Sequence, residues 1–157
     1  MRLLRRAIIL ILGAILAITA LVTMFDANIA APVTRQEDLS QPRVFAYRGW
    51  QSVGTRVNEG DEVRIEAYGE WLYTPGEMHG PEGHARYPAP TFYPIPNVPG
   101  GVLIGRIGET GQPFVVGRGT VVQARQTGTL YLRINDDLLG DNWGWVAVDV
   151  DVTSPED

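Results

Sequence analysis

The chain has 157 residues, with 13 arginines, no lysine, 18 acidic residues, two histidines and no cysteine, for a formal net charge of −5. The lack of cysteine excludes disulfide staples, thiolate catalysis and cysteine-ligated zinc together. From Asp26 onward ten arginines stand against all 18 carboxylates, a net charge of −8, which argues against nucleic acid or an anionic lipid surface as the partner of that part.

Residues 7–25, AIILILGAILAITALVTMF, form an uncharged run of 19. At 1.5 Å per residue such a helix is about 28 Å long, close to the thickness of a hydrocarbon core. Arg2, Arg5 and Arg6 precede it and Asp26 follows, so the positive-inside bias predicts a cytoplasmic N-terminus with the rest of the chain across the membrane. The competing reading is a cleaved signal peptide. Its apolar region normally spans only about 7 to 15 residues before a small-x-small site, and here only Ala27, Ala30 and Ala31 offer small residues. The predicted organisation is a basic segment (1–6), a transmembrane helix (7–25), a linker (26–43), a folded domain (44–153) and a short tail (154–157). The linker, DANIAAPVTRQEDLSQPR, is polar and punctuated by proline, and its 18 residues reach at most about 60 Å.

The domain reads as strands. VRIEAYG (63–69) sets Val63, Ile65 and Ala67 against Arg64, Glu66 and Tyr68, the alternation of a half-buried strand, after the turn Asn58-Glu59-Gly60-Asp61. WVAVDVDV (145–152) repeats the pattern with Val146, Val148, Val150 and Val152 inward. VLIGRIG, PFVVGRG, TVVQAR and TLYLRIN lie between them as short candidates separated by glycine-rich turns, with no helical period after residue 25. The pattern predicts an all-β, antiparallel β-sandwich. Residues 72–101 interrupt it with seven of the 11 prolines, both histidines and several aromatics. They read as a long, stiffened loop, of a kind more often functional than accidental.

Enzymatic constellations are weak. No serine sits in a nucleophile-elbow context, and the glycine-rich pieces are strand turns rather than phosphate loops opening a helix. The reading is therefore non-catalytic. In HGPEGH, His79 and His84 flank Glu82, two imidazoles and a carboxylate of the kind zinc accepts, though the spacing on a Pro/Gly loop equally suits ordinary polar loop residues.

INDDLLGDNWG (134–144) is richer, with Asn135, Asp136, Asp137, Asp141 and Asn142 beside Trp143. Calcium takes six to eight oxygens at about 2.3–2.6 Å, and such a turn supplies oxygens and charge compensation. The spacing is not that of an EF-hand, so further oxygens must come from elsewhere. Asp and Asn also favour turns for purely local reasons, and both readings stand at this point. If Val146 and Val148 face the core, period two puts Trp143 and Trp145 on the opposite face, either as contact residues for a ligand or protein or beneath the 72–101 loop.

The ordered segments GDEVRIEAYGEWLYTPG, HGPEGHARYP, GGVLIGRIG and YLRINDDLLGDNWG resemble the PA-IL-like galactophilic lectins of bacteria, over most of residues 44–152. The resemblance implies a jelly-roll-like β-sandwich in which calcium bridges protein oxygens to sugar hydroxyls. It implies calcium ligands from the carbonyl of Tyr73, from Asp136, from the carbonyl of Leu138 or Leu139, and from Asp141 and Asn142. Carbohydrate contact would fall to Tyr87, Asp136, Asp141 and Trp143.

The sequence departs from the family on the sugar side. Tyr87-Pro88 stands where the family has His-Pro, Pro90 where it has Gln, the calcium loop is shorter, and Asp141 replaces the first of two amides. Metal binding survives such changes more easily than galactose selectivity, because the lost groups are those that pair with sugar hydroxyls. With the anchor, these readings predict a lectin-like module on the periplasmic face of a bacterial inner membrane. The alternative is a single-pass accessory subunit of a larger respiratory or photosynthetic complex, with Trp143 and Trp145 as its protein-protein interface.

Overall fold

The computed structural model describes residues 41–74 and 76–155. The predicted membrane helix and most of the linker lie outside the described residues, and none of the described helical segments is long and apolar enough to cross a membrane.

The described residues belong to one compact unit built almost wholly of antiparallel strands. The first sheet centres on β3 (Glu62–Thr74), whose 13 residues pair on one side with β11 (Trp143–Thr153) along its whole length, Thr153 opposite Glu62 and Trp143 opposite Leu72. On its other side β3 pairs with β9 (Gly119–Gln123) along its first half and with β4 (Glu77–His79) along its second. β1 (Arg43–Phe45) closes the far edge against β11. Arg43, expected at the end of the linker, is thus already a strand residue opposite Ala147. The second sheet has the order β2 (Gln51–Val57), β10 (Gly128–Ile134), β7 (Leu103–Ile107), β8 (Phe114–Val115).

The predicted alternation holds where it was clearest. Val63, Ile65, Ala67, Trp71 and Tyr73 of β3 face inward with Val146 and Val148 of β11, and meet Val53, Val57, Leu103, Ile107, Leu130, Leu132 and Ile134 of the second sheet in one core. Val150 and Val152 sit at its margin, half-buried. β2 is not apparent in the sequence because QSVGTRV carries only two fully inward valines around Gly54, which takes a positive φ of 80°.

The 72–101 stretch differs most from expectation. β3 runs on through Thr74, and β4, β5 (His84–Pro88) and β6 (Pro99–Gly100) occupy much of the supposed loop. Its prolines are compatible with this because they sit where no central ladder needs an N–H. Pro88 and Pro99 face each other in the separate two-stranded β5–β6 ribbon, and Pro81 contributes a carbonyl to the N–H of Leu103 at 2.7 Å. Residues 89–98 remain irregular.

Trp71 ties this excursion to the core. Its side chain is fully buried and its Nε1–H donates to the carbonyl of Gly101 at 3.1 Å. Trp71→Ala is expected to destabilise the protein by about 3–5 kcal/mol through cavity formation, with a further cost for the unpaired carbonyl. Urea unfolding of the full chain measures this, and a loss below about 1 kcal/mol would be inconsistent with the packing described.

Candidate functional site

β10 ends at Ile134, and the chain then turns through Asn135–Asn142 before β11 begins. Asn135, Asp136 and Asn142 are buried at this turn while Asp137, Leu138 and Asp141 are exposed. The five oxygen-bearing side chains noted in the sequence therefore divide into distinct roles. Asn135 is structural. Its Oδ1 accepts from the N–H of Ile95 at 3.0 Å and its Nδ2 donates to the carbonyl of Ile95 at 2.9 Å, a two-point clip on the irregular 89–98 segment.

Asp136 organises the rest. Its Oδ1 accepts from the N–H of Leu138 at 3.2 Å, the local bond that makes Asp a turn former. Its Oδ2 accepts from Asn142 Nδ2 at 2.7 Å. Arg133 Nη2 donates to its backbone carbonyl, and Arg133 Nε to that of Ile134 at 2.9 Å. Burial pulls the Arg133 pKa down, and the neighbouring Asp136 and Asp137 oppose that shift. Leu139–Asp141 form a 3₁₀ turn, with the carbonyl of Leu139 accepting from the N–H of Asn142 at 3.4 Å. A carbonyl has two lone pairs, so Leu139 retains capacity for another partner.

Tyr73 arrives from the first sheet. The β3–β4 register shifts between Leu72 and Thr74, and Tyr73 is the residue skipped. Such bulges re-aim a residue relative to the ladder. The ring is buried, with its hydroxyl 3.1 Å from that of Tyr93. It lies so close to Gly101 that a Cβ there would stand 2.5 Å from Tyr73 Cγ, and Gly101 also adopts φ +73°. Only glycine meets both demands.

Electrostatics report the same convergence. Burial raises the pKa of Tyr73; the hydrogen bond to Tyr93 opposes this, and the charges of Asp136 and Asp141 and the neighbouring Tyr87 add to it. The pKa of Tyr93 is raised as well, first by burial and then by the neighbouring Tyr73 and Asp136.

The structure thus gathers Tyr73, Asp136, Asp141 and Asn142, with Leu139 in the turn between the acids. Tyr87, 43% exposed, borders them with its ring centroid 6.3 Å from that of Tyr73. Tyr93 belongs to the same cluster and was not singled out from sequence; only the run of aromatics in TFYPIPN hinted at it.

The tryptophans separate. Trp143 is 69% exposed on the outer face of the first sheet. Trp145 is half-buried, with the Arg43 guanidinium 4.0 Å from its ring centroid. Cover for Trp145 comes from β1, because Arg43 pairs opposite Ala147 and lies diagonally across from Trp145 on the same face. Glu82, expected between the histidines, instead forms a bidentate pair with Arg118, Oε2 to Nε at 2.7 Å and Oε1 to Nη2 at 3.0 Å.

No protein-family model matches the sequence, and no curated protein matches it either. Among solved structures, the chain is similar to one described as "EclA N-terminal domain; PllA-like lectin", with a TM-score of 0.56 and 22% identity. The match covers 71% of this chain and 93% of that one. The fold is lectin-like.

The donor set fits a hard cation on one further observation. Asn142 Oδ1 is buried with no hydrogen-bond partner, although the residue is only 4% exposed. An amide oxygen left so costs about 1–3 kcal/mol. Turning the amide by half a revolution brings Oδ1 against the Asp136 carboxylate, an arrangement that a cation between the two oxygens would make favourable.

The buried phenols carry a pH signature. A folded-state pKa raised above the unfolded value of about 10 contributes stability that is complete below that pH and is lost as pH rises from there toward the folded value. The melting temperature of the full chain should therefore fall above about pH 10. Tyr93→Phe should flatten that fall; parallel curves for the two proteins would mean that Tyr93 is not its source.

Proposed function

We propose that this chain is a membrane-anchored, non-catalytic carbohydrate-binding module that holds calcium in the turn between β10 and β11. The observation that carries the reading is the buried Asp136 carboxylate held against the amide of Asn142, whose Oδ1 has no partner, beside Tyr73. Asp136 and Asp141 compensate a divalent charge, Asn142 supplies an amide oxygen, and the carbonyls of Tyr73 and Leu139 complete an all-oxygen set suited to calcium. When bound, calcium would bridge these oxygens to vicinal hydroxyls of a sugar. The lectin-like fold supports a carbohydrate ligand, since the structure similar to this one is described as a lectin. Tyr87 supplies an exposed aromatic face at the rim on which a sugar ring can stack. With Tyr87 and Pro90 in place of polar groups, the preference shifts from galactose toward glycans read by stacking.

Extracellular calcium modules typically bind at about 10⁻⁴–10⁻³ M, so roughly 5 mM calcium should contribute about 1–2 kcal/mol by mass action. That corresponds to a rise of about 3–8 °C in melting temperature for the full chain in mild detergent. Asp141→Asn, at an exposed position, should remove most of the rise without unfolding the protein, and Asp136→Asn should abolish it. Identical melting in calcium and in chelator would overturn the calcium reading, and absence of calcium-dependent glycan binding would overturn the lectin reading.

The exposed Trp143 favours a second reading, in which the outer face of the first sheet docks on another subunit of a membrane complex. Gentle extraction of a C-terminally tagged chain should then recover a stoichiometric partner that Trp143→Ala releases. Recovery of the chain alone counts against this role.

A further inference from the structure

The only two histidines of the chain are brought together by the fold. His79 ends β4, held opposite Trp71 of β3, and His84 opens β5, held opposite Gly100. Between them the chain reverses through a turn closed by Gly83 N–H to the Gly80 carbonyl at 2.9 Å, with Gly83 at φ 73°. The imidazole centroids end 4.6 Å apart. One oxygen, Oε2 of Glu77, lies 3.4 Å from His79 Nε2 and 3.5 Å from His84 Nε2.

We propose that Glu77, His79 and His84 form a site for a transition-metal cation of the zinc type. Ligand atoms about 2.0–2.1 Å from a tetrahedral zinc are separated from one another by about 3.3–3.5 Å. Both Glu77-to-histidine distances already have that value, and all three ligand atoms lie within 4.8 Å of one another. The two imidazole side chains are 15% and 23% exposed and so largely fixed, whereas Glu77 is 60% exposed and free to close on an ion. Two nitrogens and one carboxylate suit zinc, nickel or copper rather than calcium, which takes oxygens.

His84 Nδ1 accepts from the N–H of Arg86 at 3.2 Å, which leaves the proton of the neutral ring on Nε2. Ligation through Nε2 moves that proton to Nδ1 and gives up one exposed local bond. Thr74 Oγ1, 3.4 Å from His79 Nε2, borders the site, and the fourth coordination position falls to water or an outside donor. No ligand is shared with the Asp136 turn, so this site and the calcium reading stand or fall separately.

The test uses the tag-free full-length chain, stripped with chelator and titrated with zinc chloride by calorimetry and by imidazole ¹⁵N–¹H spectroscopy, where two histidines give two assignable rings. We expect one zinc per chain, shifts in both rings, no displacement by millimolar calcium, and at least about a tenfold loss of affinity in each of Glu77→Gln, His79→Gln and His84→Gln, since each removes one of three protein ligands. Glu82→Gln should bind zinc as the parent does. No binding, binding that survives both histidine substitutions, or shifts in only one ring would overturn the proposal. Dependence on Glu82 in place of Glu77 would overturn the ligand assignment.

Discussion

A carboxylate taken out of water must be surrounded by donors, and Asp136 imposes that requirement on everything near it. At 2% exposure it takes the amide of Asn142 and the N–H of Leu138, while Arg133 holds its backbone carbonyl. These partners come from the strand before the turn, the turn itself and its exit. The neighbouring Asn135 joins the β10–β11 turn to the excursion that leaves β3 through its two bonds to Ile95. A network of this kind is stable only when every member is satisfied, and Asn142 Oδ1 is left without a partner.

The two sheets supply the rigidity this arrangement needs. β3 and β11 pair over 11 successive residues, and their ends at Leu72 and Trp143 bring Tyr73 and Asn142 into the same neighbourhood. The second sheet delivers Asp136 from the end of β10. Trp71 and Asn135 act as two anchors for the proline-rich excursion, the first through Gly101 and the second through Ile95. The excursion is thus irregular over residues 89–98 yet tied to core strands at Ile95 and Gly101.

The same excursion carries the histidine pair. β4 continues the first sheet past Tyr73 and β5 turns back, so that Tyr73, His79, His84 and Tyr87 form a chain of neighbouring rings, each 4.6–6.4 Å from the next. The histidine pair and the oxygen-rich turn share no residue, and their donor atoms differ in kind, nitrogen against oxygen.

Periodicity in the sequence was sufficient to determine the all-β class, the inward faces of β3 and β11, and the outward direction of Trp143, because side-chain alternation is a local property of extended backbone. The oxygen-rich turn was equally legible as a run of residues, and resemblance to a lectin family suggested which of them belong together. The tertiary structure decided the rest. It separated Asn135 as a clip from Asp136 and Asn142 as candidate ligands, added Tyr93, exchanged Glu82 for Glu77 beside the histidines, and covered Trp145 with Arg43. In each case the deciding contact joins residues from different strands or crosses a chain reversal. Spacing along an irregular, proline-rich segment carries no fixed direction for a side chain, so those partners are set only when the sheets bring the segments together.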